Sequence, residues 1–230
     1  MKIKFCILFI LICNIALCQI KTGEITYKFI LDDFDKGDVF KRASKGEEDR
    51  LRFVLKFADS LSVYETVENI ELGSSSSLAA AFSGYSNPVY FNSNENIYCY
   101  NNSFTPFTDD GEFLICTKDT INWNLTNESK MINNYLCYKA TKQKLSTKKE
   151  KEYFTVVAWY CPKIAIPFGP LEYFGLPGLI FELHNLHGAI VIDKIKLNTK
   201  TIIKQTKKAS KISKEEYKKI LDYRRKENEN

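Results

Sequence analysis

Ile25, Tyr27, Phe29 and Leu31 fall on alternate positions of the segment Gly23–Leu31, and Leu51, Phe53, Leu55 and Phe57 repeat that spacing further on. Alternation at period two puts the apolar side chains of such a run on one face, so each reads as a half-buried strand. Shorter runs of the same kind extend over 61–67, 88–91, 97–100, 112–117, 121–125, 130–140, 153–160, 179–183 and 189–197. Their hairpin-like spacing predicts an all-β, mostly antiparallel fold: a curved meander sheet or half-open barrel. Between the first two strands, Asp32 to Arg50 is acidic and then mixed in charge, and reads as a long exposed loop. Gly73 to Gly84 has a polar entry and an alanine run, which predicts a brief helix on a connection.

The period changes near the end. Ser213 and Glu216 stand at the spacing of a capping box, which predicts a helix over 214–226. Tyr217, Ile220, Leu221 and Arg224 share one stripe of it, so that stripe rests on the sheet or its rim with the lysines outward.

The other terminus is of a different kind. Lys2 and Lys4 precede an apolar run from Phe5 to Leu17, broken by Asn14 and closed by Ala16, Leu17 and Cys18. The run is too short to span a bilayer and has the layout of a secretory signal, cleaved after Cys18. The competing reading is a lipoprotein with Cys18 lipidated, which the large Leu17 disfavours because a small residue is wanted just before the cysteine. Residues 19–230 are then expected to form a single exported domain, periplasmic or extracellular, and not an integral membrane protein.

Cleavage removes Cys6, Cys13 and Cys18, and an oxidising compartment favours pairing of the rest. Cys99 and Cys116 flank the turn-rich stretch 101–111, while Cys137 and Cys161 flank the polar loop 146–152. Strand geometry therefore pairs Cys99 with Cys116 and Cys137 with Cys161; the alternative is four buried thiols. Charge is divided too: residues 194–230 hold 13 basic and 5 acidic residues. Lysines spread without interleaved aromatic residues read as a solvated helix, so no nucleic-acid partner is expected.

Residues 175–180 read GLPGLI. Around them stand Trp123-Asn124-Leu125, Tyr135-Leu136-Cys137-Tyr138-Lys139-Ala140, Ala158-Trp159-Tyr160, Ile166-Pro167 and Gly169-Pro170. Gly23–Tyr27 supplies an opening strand and Ile212–Tyr217 a closing helix. In these elements the chain resembles the GLPGLI family, exported proteins found mainly in the Bacteroidota and named for that hexapeptide. The resemblance covers most of the chain after the leader, with a weaker match over 65–107. Cys161 and the histidines depart from the usual pattern, which would make a Cys137–Cys161 bridge particular to this chain. The family carries no established biochemical activity, so the resemblance implies fold and compartment rather than chemistry.

The hexapeptide has a physical reading of its own. Pro167, Pro170 and Pro177 lack an amide donor, and Gly169, Gly175 and Gly178 can take backbone angles closed to other residues. The segment therefore forms a compact loop between the strand carrying Trp159 and the one starting at Leu179 and Ile180. Its aromatic and leucine side chains, Leu176 among them, either cap the core or line the mouth of an apolar ligand site.

Few parts for catalysis are present. His184 and His187, the only histidines, make a weak metal pair, because a zinc site wants three or four ligands at recognisable spacing. There is no G-x-S-x-G element and no phosphate or dinucleotide loop. The acidic pairs Asp32-Asp33 and Asp109-Asp110 sit in loops without an aromatic cleft. No catalytic residue and no cofactor are assigned. The sequence leaves two readings: an exported, non-enzymatic envelope protein holding an apolar ligand such as a lipid or hydrophobic peptide in its curved sheet, or a module docking to an outer-membrane receptor or secretion partner.

Overall fold

A computed structural model describes residues 20–31, 51–67, 87–103, 105–109, 111–118, 120, 122–145, 152–185, 188–203 and 209–228. The expected leader, the loop at 32–50 and the alanine-bearing segment at 73–84 lie outside them. Twelve strands and one helix follow in order: β1 (Thr22–Leu31), β2 (Arg52–Ala58), β3 (Leu61–Thr66), β4 (Val89–Asn92), β5 (Ile97–Asn101), β6 (Phe113–Lys118), β7 (Asn124–Ile132), β8 (Tyr135–Leu145), β9 (Tyr153–Cys161), β10 (Leu179–His184), β11 (Gly188–Leu197), β12 (Ser210–Ser213) and α1 (Lys214–Asn228).

All twelve strands join one sheet, in the order β12-β6-β5-β4-β3-β2-β1-β11-β10-β9-β8-β7. Every ladder is antiparallel except β12 on β6. The sheet does not close into a barrel; β12 and β7 stand at its two ends. β1 joins two meanders, pairing β2 on one side and β11 on the other. The alternation read from sequence sets the register. Tyr27 lies between Phe53 and Ile192, and Ile25 between Leu55 and Ile195, so the inner face is built of facing apolar side chains.

That face is covered by the chain itself. The segment between β9 and β10, residues 162–178, buries Ile164, Ile166, Phe168, Leu171, Tyr173, Phe174 and Leu176. Phe168 meets Phe57 of β2 at 5.5 Å between ring centroids, and Phe174 stacks on Phe91 of β4 at 3.6 Å. A loop rooted in one meander thus packs against the other, and one apolar cluster spans both. Burying a large apolar side chain contributes about 1.5–3 kcal/mol, so seven of them make this loop a major part of the core.

The helix begins as its capping box specifies. The Ser213 amide donates to Glu216 Oε2 at 2.8 Å, and the Glu216 amide donates to Ser213 Oγ at 3.1 Å. Tyr217, Ile220, Leu221 and Arg224 are half-buried along one stripe, with exposed neighbours. Tyr217 sits edge-on to Phe113 at 5.9 Å, and Arg224 forks onto both carboxylate oxygens of Glu112 at 2.7 and 3.0 Å.

Three features differ from the sequence reading. The strands expected over 121–125 and 130–140 are divided differently, as β7 and β8, because Asn133 and Asn134 both take positive φ (47° and 64°) and form a two-residue hairpin turn between Ile132 and Tyr135. β12 has no counterpart in the reading. The third concerns cysteine: Cys99 and Cys116 are bridged, but Cys137 and Cys161 are free and buried. The second pair is unbonded in this structure, with both thiols fully buried.

Candidate functional site

The Pro/Gly loop covers the inner face of the sheet. Gly169, Pro170, Leu176, Gly178, Leu179 and Ile180 are buried, Gly175 and Trp159 are half-buried, and Pro167 and Pro177 are exposed. Two glycines are required by contact and one by backbone angle. A Cβ on Gly169 would lie 2.5 Å from the Tyr173 carbonyl oxygen, one on Gly178 would lie 2.3 Å from that of Cys161, and Gly175 adopts φ +83°. The hexapeptide is written for close backbone packing. Tyr27 fixes it further, donating its buried hydroxyl to the Ile180 carbonyl at 2.7 Å, and Trp123 donates its indole N–H to the Phe174 carbonyl at 2.9 Å. The loop's own aromatic residues fill the space in which an apolar ligand would sit.

On the sheet's other face, strands β7 to β10 gather polar groups around Trp159. Lys130 Nζ lies 4.4 Å over the Trp159 ring and 2.7 Å from Glu182 Oε1, and His184 Nε2 meets the same oxygen at 2.5 Å. Burial pushes the Glu182 carboxyl up, but the hydrogen bonds from His184 and Lys130 outweigh it and hold it below the ordinary carboxylate range. His184 is thereby held by a hydrogen bond to Glu182. His187 lies outside the described residues, and among those described no three His, Cys, Asp or Glu side chains cluster as metal ligands. Cys137 stands next to this group. Burial, followed by its neighbour Cys161, pushes its thiol up to about 12, so it is a poor nucleophile in the folded protein.

A third place was not legible in the sequence. Two adjacent cross-strand rows, Leu61–Asn92–Ile97–Lys118 and Tyr90–Cys99–Cys116–Ser213, run across β3, β4, β5, β6 and β12 on the face away from the main core. Together with the start of α1 they bound an open groove of about 480 Å³. Its floor is apolar, with Leu61, Tyr90, Ile97 and the Cys99–Cys116 bridge. Its rim carries both signs, with Glu95 and Glu216 against Lys118 and Lys211. The volume lies in the range of ligand sites. Five strands and a helix supply these residues, so no local motif marks them.

Among the described residues no helix is long and apolar enough to cross a membrane. A family model described as a protein of unknown function (Porph_ging) matches residues 123–182, the stretch from Trp123 through the hexapeptide. No curated protein sequence matches the chain. Among solved structures, the chain is similar to PNGF-II in its C2 and P21 crystal forms, each with TM-score 0.54 and 14% identity over 89% of this chain. At that identity the likeness is one of fold. The chain spans about a third of the PNGF-II chains, 33% and 34%.

Proposed function

We propose that the protein is an exported, non-enzymatic binding module of the cell envelope, and that its binding surface is the groove over β3–β6 and β12. The GLPGLI resemblance and the leader-like residues 1–18 support export. One observation carries the choice of surface: among the described residues, the inner face of the sheet is occupied by Phe168, Leu171, Tyr173, Phe174 and Leu176, while the groove is open. A lipid chain held inside the sheet would have to displace that loop.

The occupant is a short extended peptide segment with apolar side chains. An apolar floor between rims of both signs suits a peptide, which brings its own dipoles and charges, better than an acyl chain. Among the described residues β12 ends the strand order, so a segment laid beside it meets backbone donors and acceptors of a sheet edge. Docking to an envelope partner and binding of a hydrophobic peptide become one event in this reading.

Native mass spectrometry of the protein purified from an oxidising periplasm tests it. A peptide adduct that is released on denaturation and lost in Ile97→Glu is the expected result. A bare mass, or a lipid adduct indifferent to Ile97→Glu, overturns the assignment.

A further inference from the structure

The β8–β9 register runs from Leu145↔Tyr153 to Tyr138↔Tyr160, and its next step sets Cys137 opposite Cys161. The Cys137 thiol donates to the Tyr135 carbonyl oxygen at 3.7 Å, and Cys161 stands close enough to add to the upward push on it. Cys99 and Cys116 stand in the same relation, directly opposed in the β5–β6 ladder, and that pair is bridged. Opposed residues on neighbouring strands carry Cβ atoms about 4.5–5.5 Å apart, and a disulfide needs about 3.5–4.5 Å, so a small adjustment of the ladder closes the bond.

We propose that Cys137 and Cys161 are a second cross-strand disulfide site, present as thiols in this structure and closed when the chain folds against a disulfide oxidant. In the reaction the two thiols lose two protons and two electrons as their sulfurs bond. The electrons cleave the S–S bond of the oxidant, a small-molecule or protein disulfide, which departs as two thiols. Closure precedes burial, because both side chains are fully enclosed in the fold and no oxidant reaches them there. The bond has a definite mechanical effect. Cys161 is the last residue before the Pro/Gly loop, and Gly178 at the other end of that loop rests on its backbone. A bridge to Cys137 therefore fastens the root of the loop to β8.

The test is a peptide map of the full chain refolded from the reduced, unfolded state with oxidised glutathione, alkylated during unfolding without reductant. Digestion after lysine yields Met131–Lys139 and Glu152–Lys163, each with one of the two cysteines. The expected product is these two peptides joined, separating on reduction, alongside the single peptide Phe57–Lys118 with Cys99 and Cys116 unalkylated and linked within it. Alkylated Cys137 and Cys161 beside a closed Cys99–Cys116 bridge overturns the proposal, as does either residue joined to Cys99 or Cys116. If the chain fails to refold in vitro, the same map is made on protein taken from an oxidising periplasm, with the same outcomes.

Discussion

Gly178 rests on the peptide group of Cys161, so closely that a Cβ would come within 2.3 Å of its oxygen and 2.5 Å of its carbon. Backbone cannot yield as a flexible side chain can. Gly178→Ala is expected to destabilise the fold by about 2–3 kcal/mol, measured as a fall in the urea midpoint at unchanged slope. A midpoint equal to that of the unaltered protein would remove the packing account of the hexapeptide.

Phe168 joins the two meanders through its contacts with Phe57 and Phe91 at 5.5 and 6.0 Å. Phe168→Ala leaves a cavity between them, and a loss of about 3–5 kcal/mol is expected in equilibrium unfolding. If the loop were a movable lid rather than core, the loss would fall under about 1 kcal/mol.

The Cys99–Cys116 bridge closes a sequence separation of 17 residues beneath the groove. Replacing both by serine should cost about 3 kcal/mol, mainly by freeing the unfolded chain. Unfolding of the variant and of the unaltered protein with and without reductant measures it; equal midpoints in all cases would show that the bridge contributes nothing.

Acid should weaken two contacts. The hydrogen bond from Arg224 holds the Glu112 carboxyl below its ordinary range, and those from His184 and Lys130 do the same for Glu182 against the opposing effect of burial. A carboxyl depressed in the folded state binds its proton first in the unfolded chain. The stability it adds is therefore present above the ordinary carboxylate range and is lost as pH falls through the depressed folded values. Urea midpoints taken from pH 7 down to about pH 3 should decline, and more shallowly in Glu182→Gln. Parallel declines in both proteins would place the acid sensitivity elsewhere.

Residues that repeat locally were legible. Ile25, Tyr27 and Phe29 announce β1, and Ser213 with Glu216 announces α1, because alternation and capping are properties of neighbouring residues. The paired Cys99 and Cys116 follow from strands joined across a short turn. The β7–β8 boundary was hidden because Met131, Ile132, Tyr135 and Leu136 continue the apolar run across Asn133 and Asn134, whose turn depends on backbone angles. β12 is four residues long and pairs in parallel with a strand much earlier in the chain, a relation that no local pattern encodes. The groove was hidden for the same reason, since its rows exist only once β3 to β6 and β12 lie side by side.

β1 lies in the middle of the sheet although it precedes every other strand, and one of its two partners, β11, follows nearly all of them. Each meander can zip by hairpins as it emerges, but the seam between them waits for almost the whole chain. High contact order of this kind makes the last docking step slow. Until then the side of β1 that pairs β11 is an open strand edge, whose unpaired backbone groups must be kept from other strands while the rest of the chain folds.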